Sequence, residues 1–86
     1  RNAQTLFQKA RAYHISGELE SAIHLYQKLV ERYRSLPKLS ERIKSITNLG
    51  GIYYQKHEYI LAKKYFNLSL KYKRRYGDES ELIIAY

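Results

Sequence analysis

The side chains able to act as catalysts or metal ligands are three histidines and a few serines. His14, His24 and His57 lie in separate parts of the chain without metal-ligand spacing, and His57-Glu58 lacks the second histidine of a zinc-binding helix. The serines at turn or small-residue places are Ser16, Ser21 and Ser69. No base and orienting group can be named beside any of them, and no glycine-rich phosphate loop follows a strand. We therefore expect turn or surface histidines, no enzyme activity, no metal and no cofactor.

A run of basic residues without an acid lies between Glu58 and Asp78. One predicted solvent stripe of a helix contains Lys63, Lys64, Asn67, Lys71, Arg74 and Arg75. Such a stripe is usually a solvated face of a surface helix. The same spacing of basic residues also suits the phosphate backbone of a nucleic acid, whose bases could then stack on neighbouring tyrosines. Tyr65 and Tyr72 fall on the apolar side of the same helix, which favours core packing over base stacking. RNA or other nucleic-acid binding through the basic residues is therefore kept as the alternative function.

The composition describes one small, basic and helical domain. The chain has 86 residues and a formal net charge of +8, with one proline, four glycines and ten tyrosines. A chain of this length has room for one modest core. The charge raises nucleic acid, acidic peptides and anionic membranes as partners without choosing among them.

The chain contains no cysteine, which removes disulfides and thiolate metal sites and predicts a reducing compartment, the cytoplasm. No apolar run approaches the roughly 18 residues that a membrane span requires. The chain does not begin with methionine, so we expect it to be a piece of a longer protein.

Apolar residues at helical spacing predict four amphipathic helices. Gly77 and the capping pattern Asp78-Glu79-Ser80-Glu81 predict a fifth that begins near the end of the chain. Gly17 ends the first helix, and the second should end by about Leu36 because Pro37 follows. In the third helix, Gly50 and Gly51 cost roughly 1 kcal/mol each against alanine, which predicts the close approach of a neighbouring helix. The helices are expected to start near Ala3, Leu19, Leu39, Tyr59 and Asp78.

The chain contains two copies of one pattern, displaced by 40 residues. The matching positions are Ala10 and Gly50, Tyr13 and Tyr53, Leu19 and Tyr59, Ala22 and Ala62, Tyr26 and Phe66, and Leu29-Val30 and Ser69-Leu70. His57 stands where the first copy has Gly17, so the second turn should close with a histidine at positive φ and some strain. The fourth helix has two adjacent apolar stripes, which predicts contacts with two neighbouring elements.

These residues resemble the tetratricopeptide repeat, whose signature spaces a large residue, Leu-Gly, Tyr, Ala and Phe across a helix, a turn and a helix. The second copy carries the signature as Ile46, Leu49-Gly50, Tyr53, Ala62 and Phe66. The first copy matches in part, with Lys9 at the place of the signature leucine. The period of 40 residues, against 34 in the common repeat, is similar to that of kinesin light chain arrays. The resemblance implies an all-α superhelix of antiparallel helix pairs.

The implied array occupies residues 1–86 as a single unit. It consists of a first repeat at about 3–36, a second at about 38–76 and the first helix of a third at about 79–86. Because repeat arrays need about three units and polar ends for independent stability, we expect either self-association through the apolar terminal edge at 82–86 or a marginal fold.

The resemblance also implies a function, because the first helix of each pair in this family lines a concave groove. The groove positions carried over from the family are Gln4, Gln8, Arg11 and His14 in the first copy and Lys44, Thr47, Asn48, Gly51, Tyr54 and Gln55 in the second. Asn48 stands where an asparagine of related arrays hydrogen-bonds an extended peptide, so Asn48→Ala should weaken a bound peptide and leave melting unchanged. Arg11 and Lys44 add positive charge. We therefore expect a protein-interaction scaffold that docks a peptide or helix, with an acidic peptide or a C-terminal carboxylate favoured.

Overall fold

The structure is a computed structural model and describes residues 2–76 of the chain. Four helices make up this part of the chain. They are α1 Ala3–Ile15, α2 Leu19–Arg32, α3 Ser40–Gln55 and α4 Tyr59–Tyr76. No strand occurs within these residues, and the predicted all-α class is confirmed. None of the four helices combines the length and the apolarity needed to cross a membrane. The predicted fifth helix, and with it the third repeat at 79–86, lies outside the described residues.

Both hairpins close through a residue in the left-handed region of the backbone. Gly17 has a φ of 86° between α1 and α2, and His57 has a φ of 65° between α3 and α4. In each turn the next amide donates to a carbonyl of the preceding helix, at 2.9 Å from Glu18 and 2.8 Å from Glu58. These bonds satisfy a carbonyl that the end of a helix would otherwise leave without a partner. The positive φ predicted for His57 is confirmed.

The two hairpins are joined by residues 33–39. α2 ends at Arg32, before the predicted limit at Leu36, and α3 begins at Ser40. At this joint the Arg42 Nε donates to the Val30 carbonyl at 3.0 Å. This hydrogen bond connects the start of α3 to the last turn of α2.

α2 lies against the first helices of both hairpins, because it packs on α1 and on α3. α1 and α3 also touch each other, and α4 packs on α3. The shared core is buried at Ala10, Ala22, Ile23, Tyr26, Leu49, Ile52, Tyr53 and Ala62. Removing these apolar side chains from water is the main stabilising contribution. The antiparallel helix pairs predicted from the sequence are confirmed.

The two adjacent glycines of α3 have different surroundings. A Cβ atom at Gly50 would lie 2.8 Å from the ring of Phe66, so the close approach of α4 requires a residue without a side chain there. A Cβ atom at Gly51 would have no neighbour within 4 Å. The predicted close approach is therefore confirmed for Gly50 and wrong for Gly51.

α4 has two apolar stripes, as predicted, and they are buried to different extents. The first stripe is half-buried and consists of Leu61, Tyr65, Leu68 and Tyr72. In the second stripe Ala62 and Ser69 are buried, but Tyr59, Phe66 and Leu70 are 54 %, 40 % and 43 % exposed. Two neighbours are predicted for this wide surface, and within residues 2–76 α4 packs mainly on one of the helices, α3.

Candidate functional site

A groove opens between α1 and α3, the first helices of the two hairpins. Its volume is about 500 Å³, and it is lined by Phe7, Arg11, Lys44, Thr47, Asn48 and Lys73. Arg11, Lys44, Thr47 and Asn48 belong to the predicted groove positions, and the structure brings these four together. The helical repeat explains part of this arrangement, because Lys44 and Asn48 are one turn apart on the same face of α3.

Lys73 joins this groove from α4, although it is absent from the predicted set. α4 runs antiparallel to α3, so its C-terminal part lies beside the N-terminal part of α3, where Lys44 is. Arg11, Lys44 and Lys73 thus surround one depression from three different helices. Within residues 2–76 none of the three is paired with a carboxylate. The sequence does indicate the side of α4 on which Lys73 lies. It is three residues after Leu70 and seven after Phe66, which places it on the second apolar stripe of the helix.

A polar network centred on the Tyr26 hydroxyl meets the groove at Asn48. The Tyr26 side chain is 0 % exposed, and Asn48 Nδ2 donates to its hydroxyl at 3.0 Å. His14 Nδ1 lies 3.4 Å from the same hydroxyl, and the two rings meet edge to face. Burial raises the pKa of Tyr26, an effect opposed by the Asn48 hydrogen bond and by the charge of Arg11. Burial lowers the pKa of His14 below its ordinary 6.5, which favours the neutral ring.

His14 is therefore half-buried against Tyr26, and its interpretation as a turn or surface residue is wrong. His24 and His57 are exposed, as predicted. His57 Nδ1 lies 2.8 Å from the Tyr59 hydroxyl, within the second turn. Among residues 2–76 no three His, Cys, Asp or Glu side chains come close enough together to hold a metal ion.

The contact with Tyr26 changes what is expected of Asn48. Asn48→Ala should lower the free energy of unfolding by about 1 kcal/mol, because the buried Tyr26 hydroxyl loses its donor. In a Tyr26→Phe background the same substitution should cost much less, since the hydroxyl is absent. Urea denaturation of the four proteins in this double-mutant cycle measures the coupling between the two side chains. Unchanged melting of Asn48→Ala, as expected from the sequence, would contradict this structural role.

The remaining predicted groove residues lie outside the depression. Gln4, Gln8 and Gln55 are exposed. Gln4 and Gln8 share a face of α1 with Arg11 by helical spacing. Tyr54 is 61 % exposed and packs edge to face on Tyr59, with ring centroids 5.4 Å apart. A part for these residues in binding stays a prediction.

The predicted basic stripe is exposed along α4. Its basic members are Lys63, Lys64, Lys71, Arg74 and Arg75. Three of them, Lys71, Arg74 and Arg75, line one open depression of about 440 Å³. Asn67 and Leu70 complete its lining. Lys63 and Lys64 lie two turns nearer the start of the helix and outside this depression.

The tyrosines beside the basic stripe are used in packing. Tyr65 stacks on Tyr53 with ring centroids 5.5 Å apart. The guanidinium carbon of Arg42 lies 5.3 Å from the centre of the Tyr72 ring. Both Tyr65 and Tyr72 are half-buried, so their predicted core role is confirmed.

The geometry defines the class of the protein. Two antiparallel hairpins with matching sequences stack so that their first helices form a groove, which is the arrangement of a helical-repeat protein. The family model of the tetratricopeptide repeat matches residues 3–35 and 43–76. The chain belongs to the tetratricopeptide repeat family. Comparisons with curated proteins and with solved structures find no match.

Membership in this family gives the general function. Tetratricopeptide repeats are protein–protein interaction modules and are typically non-enzymatic scaffolds. The likeness to kinesin light chain arrays rests on the period of 40 residues and stays an interpretation.

Proposed function

We propose that the chain is a docking module that holds a peptide or helix of a partner protein in the groove between α1 and α3, and that it favours acidic ligands. The supporting observation is the convergence of Arg11, Lys44 and Lys73 around that groove. Three cations from three helices face one depression and have no carboxylate partner within residues 2–76. Their mutual repulsion is relieved when an anion binds among them.

The groove offers three kinds of contact to such a ligand. Arg11 presents a planar fork that can bind a carboxylate through two parallel hydrogen bonds, whereas Lys44 and Lys73 act as point charges. Asn48 uses one N–H within the protein, which leaves its oxygen and its second N–H for a peptide backbone. Phe7 adds an apolar wall. An acidic side chain or a C-terminal carboxylate on an extended peptide matches this set of contacts.

Reversing one groove charge tests the proposal. Lys44→Glu should weaken the binding of an acidic peptide by roughly tenfold or more, because an attractive charge becomes repulsive. The probe is a fluorescein-labelled peptide of alternating Asp and Ser, measured by fluorescence polarisation with a free and with an amidated C-terminus. Lys28→Glu is the matched control, since Lys28 is an exposed lysine of α2 outside the groove and its reversal changes the net charge equally.

The control decides between a site and a general charge effect. Equal weakening by Lys44→Glu and Lys28→Glu would mean that the net charge attracts the peptide, and the groove would then have no special part. A preference for the free over the amidated peptide would identify the C-terminal carboxylate as part of the ligand.

The alternative is RNA binding through the basic stripe, which the common depression of Lys71, Arg74 and Arg75 supports. Phosphates bound there would release counterions, so the affinity would fall steeply with salt. Filter binding of a single-stranded RNA at two salt concentrations, with these three residues changed to glutamine, tests this alternative. RNA binding that the triple variant loses while it still binds the acidic peptide would favour the alternative.

Two statements about the setting of the chain stay predictions. The absence of cysteine supports a reducing compartment such as the cytoplasm. Self-association through the edge at 82–86 concerns residues outside the described range, and sedimentation across a wide range of concentrations tests it.

A further inference from the structure

Two hydrogen bonds join a titratable side chain to the wall of the groove. Within residues 2–76 the Tyr26 hydroxyl has two hydrogen-bond partners, Asn48 Nδ2 at 3.0 Å and His14 Nδ1 at 3.4 Å. A hydroxyl has a single proton to donate, and its oxygen accepts. Because Asn48 donates to that oxygen, the Tyr26 proton is directed to His14 Nδ1, which accepts it as a hydrogen bond. This arrangement requires a neutral imidazole with its own proton on Nε2.

The surroundings of His14 favour the neutral ring and leave it able to titrate in mildly acidic solution. Burial lowers its pKa below the ordinary 6.5. The nearby charges on α1, α3 and α4 are the cations of the groove, Arg11, Lys44 and Lys73, and they oppose a further positive charge. The titratable group from α2 is Tyr26, whose pKa is raised, so its hydroxyl keeps its proton. His14 forms no ion pair with a carboxylate within residues 2–76, and only the dipole at the end of α1 favours its protonation.

A proton on His14 reverses the direction of these hydrogen bonds. Nδ1 then carries the proton taken up from solvent and donates to the Tyr26 oxygen, so the Tyr26 proton loses its acceptor. Tyr26 is 0 % exposed, and leaving a buried donor unpaired is costly. The other partner of this hydroxyl is the Asn48 amide. A half turn of that amide about its Cβ–Cγ bond brings Oδ1 to the hydroxyl and restores both hydrogen bonds.

We propose that His14, Tyr26 and Asn48 form a proton-sensitive relay that decides which atoms of the Asn48 amide face the groove. With a neutral His14 the groove receives the amide oxygen and one N–H, and with a protonated His14 it receives both N–H groups of Nδ2. The second state suits a carboxylate better, because a carboxylate only accepts hydrogen bonds, and it adds a positive charge one turn from Arg11.

The relay therefore makes the groove sensitive to pH, an effect that rests on the proposed function. An acidic ligand binds more tightly once His14 is protonated. By linkage, the bound ligand favours the proton on His14 to the same extent. The groove thus holds acidic peptides more firmly in mildly acidic surroundings than at neutral pH.

Nuclear magnetic resonance tests the relay on the free chain, without a ligand. Between about pH 7.5 and pH 5.0 the signals of the Asn48 side-chain amide should move with the same midpoint as those of the His14 ring. In Tyr26→Phe, which removes the connecting hydroxyl, the His14 ring should still titrate while the Asn48 signals stay in place. Asn48 signals that ignore pH in the unchanged chain, or that move equally in Tyr26→Phe, would overturn the relay.

The effect on binding is measured by fluorescence polarisation with the peptide of alternating Asp and Ser, labelled with a rhodamine because fluorescein itself titrates in this range. Asp has an ordinary pKa of about 3.9, so the peptide stays ionised throughout. Its affinity should rise roughly fivefold between about pH 7.5 and pH 5.0. His14→Gln should remove most of this gain, because glutamine takes up no proton. His24→Gln is the matched control, since His24 is an exposed histidine outside the groove and its loss should leave most of the gain.

The outcomes separate the relay from the proposed function. A gain that His14→Gln and His24→Gln reduce equally would reflect the net charge and would overturn the part of His14. Binding that Lys44→Glu weakens but that is equally tight at both pH values would overturn the relay's effect on the groove and leave the proposed function standing. Absent binding of the peptide would contradict the proposed function, and the Asn48 signals would then decide the relay by themselves.

Discussion

Gly50→Leu is expected to lower the free energy of unfolding by about 3 kcal/mol, a large share of the stability of so small a fold. The cause is steric, because even a Cβ atom at this position would lie 2.8 Å from the ring of Phe66. Phe66 would have to leave α3, and the contact that closes the second hairpin would be lost. Urea denaturation followed by the helical circular dichroism signal measures the effect.

The neighbouring glycine supplies the control. Gly51→Ala should raise the free energy of unfolding by about 0.5–1 kcal/mol, because alanine is the better helix former and nothing within 4 Å of its Cβ opposes it. Opposite signs at two adjacent positions of one helix would separate close approach from helix propensity. Destabilisation of similar size at both positions would instead mean that the glycine pair is required as a unit.

Gly50 and Gly51 also show which structural features helical periodicity can predict and which it cannot. Periodicity assigns each residue to a face of its helix, and from this the hairpins, the turns at Gly17 and His57 and most of the core could be predicted. It does not give the distance from that face to its neighbour. For this reason the sequence indicated one cause for both glycines, while the structure supports it only at Gly50.

The candidate site was predictable to the extent that its residues lie on the first helix of a hairpin. Arg11, Lys44 and Asn48 occupy positions that the family resemblance marks, and the structure brings them together. Lys73 was missed because it enters the groove from α4, far along the chain. The bond between Asn48 and Tyr26 was missed for a related reason, since it depends on how the first hairpin packs against α3.

Arg42 is a further residue that no sequence pattern singled out. It is only 6 % exposed, donates from Nε to the Val30 carbonyl at 3.0 Å, and holds its guanidinium carbon 5.3 Å from the centre of the Tyr72 ring. Its Nη1 is buried without a hydrogen-bond partner within residues 2–76. Through these contacts one side chain connects the last turn of α2, the first turn of α3 and the C-terminal half of α4. A cation near the C-terminus of α2 is also favoured by the helix dipole.

Arg42→Ala is accordingly expected to lower the free energy of unfolding by about 3 kcal/mol, because the buried stem, the bond to Val30 and the contact with Tyr72 are lost together. Arg42→Met keeps most of the buried stem and removes the cost of the unpaired Nη1, so it should cost only about 1 kcal/mol. Urea denaturation of both variants separates packing from hydrogen bonding. Arg11→Ala, an exposed arginine, is the control and should change stability by less than about 0.5 kcal/mol. An alanine variant as stable as the control would contradict the connecting role of Arg42, whereas equal losses for alanine and methionine would assign that role to the guanidinium contacts and not to the stem.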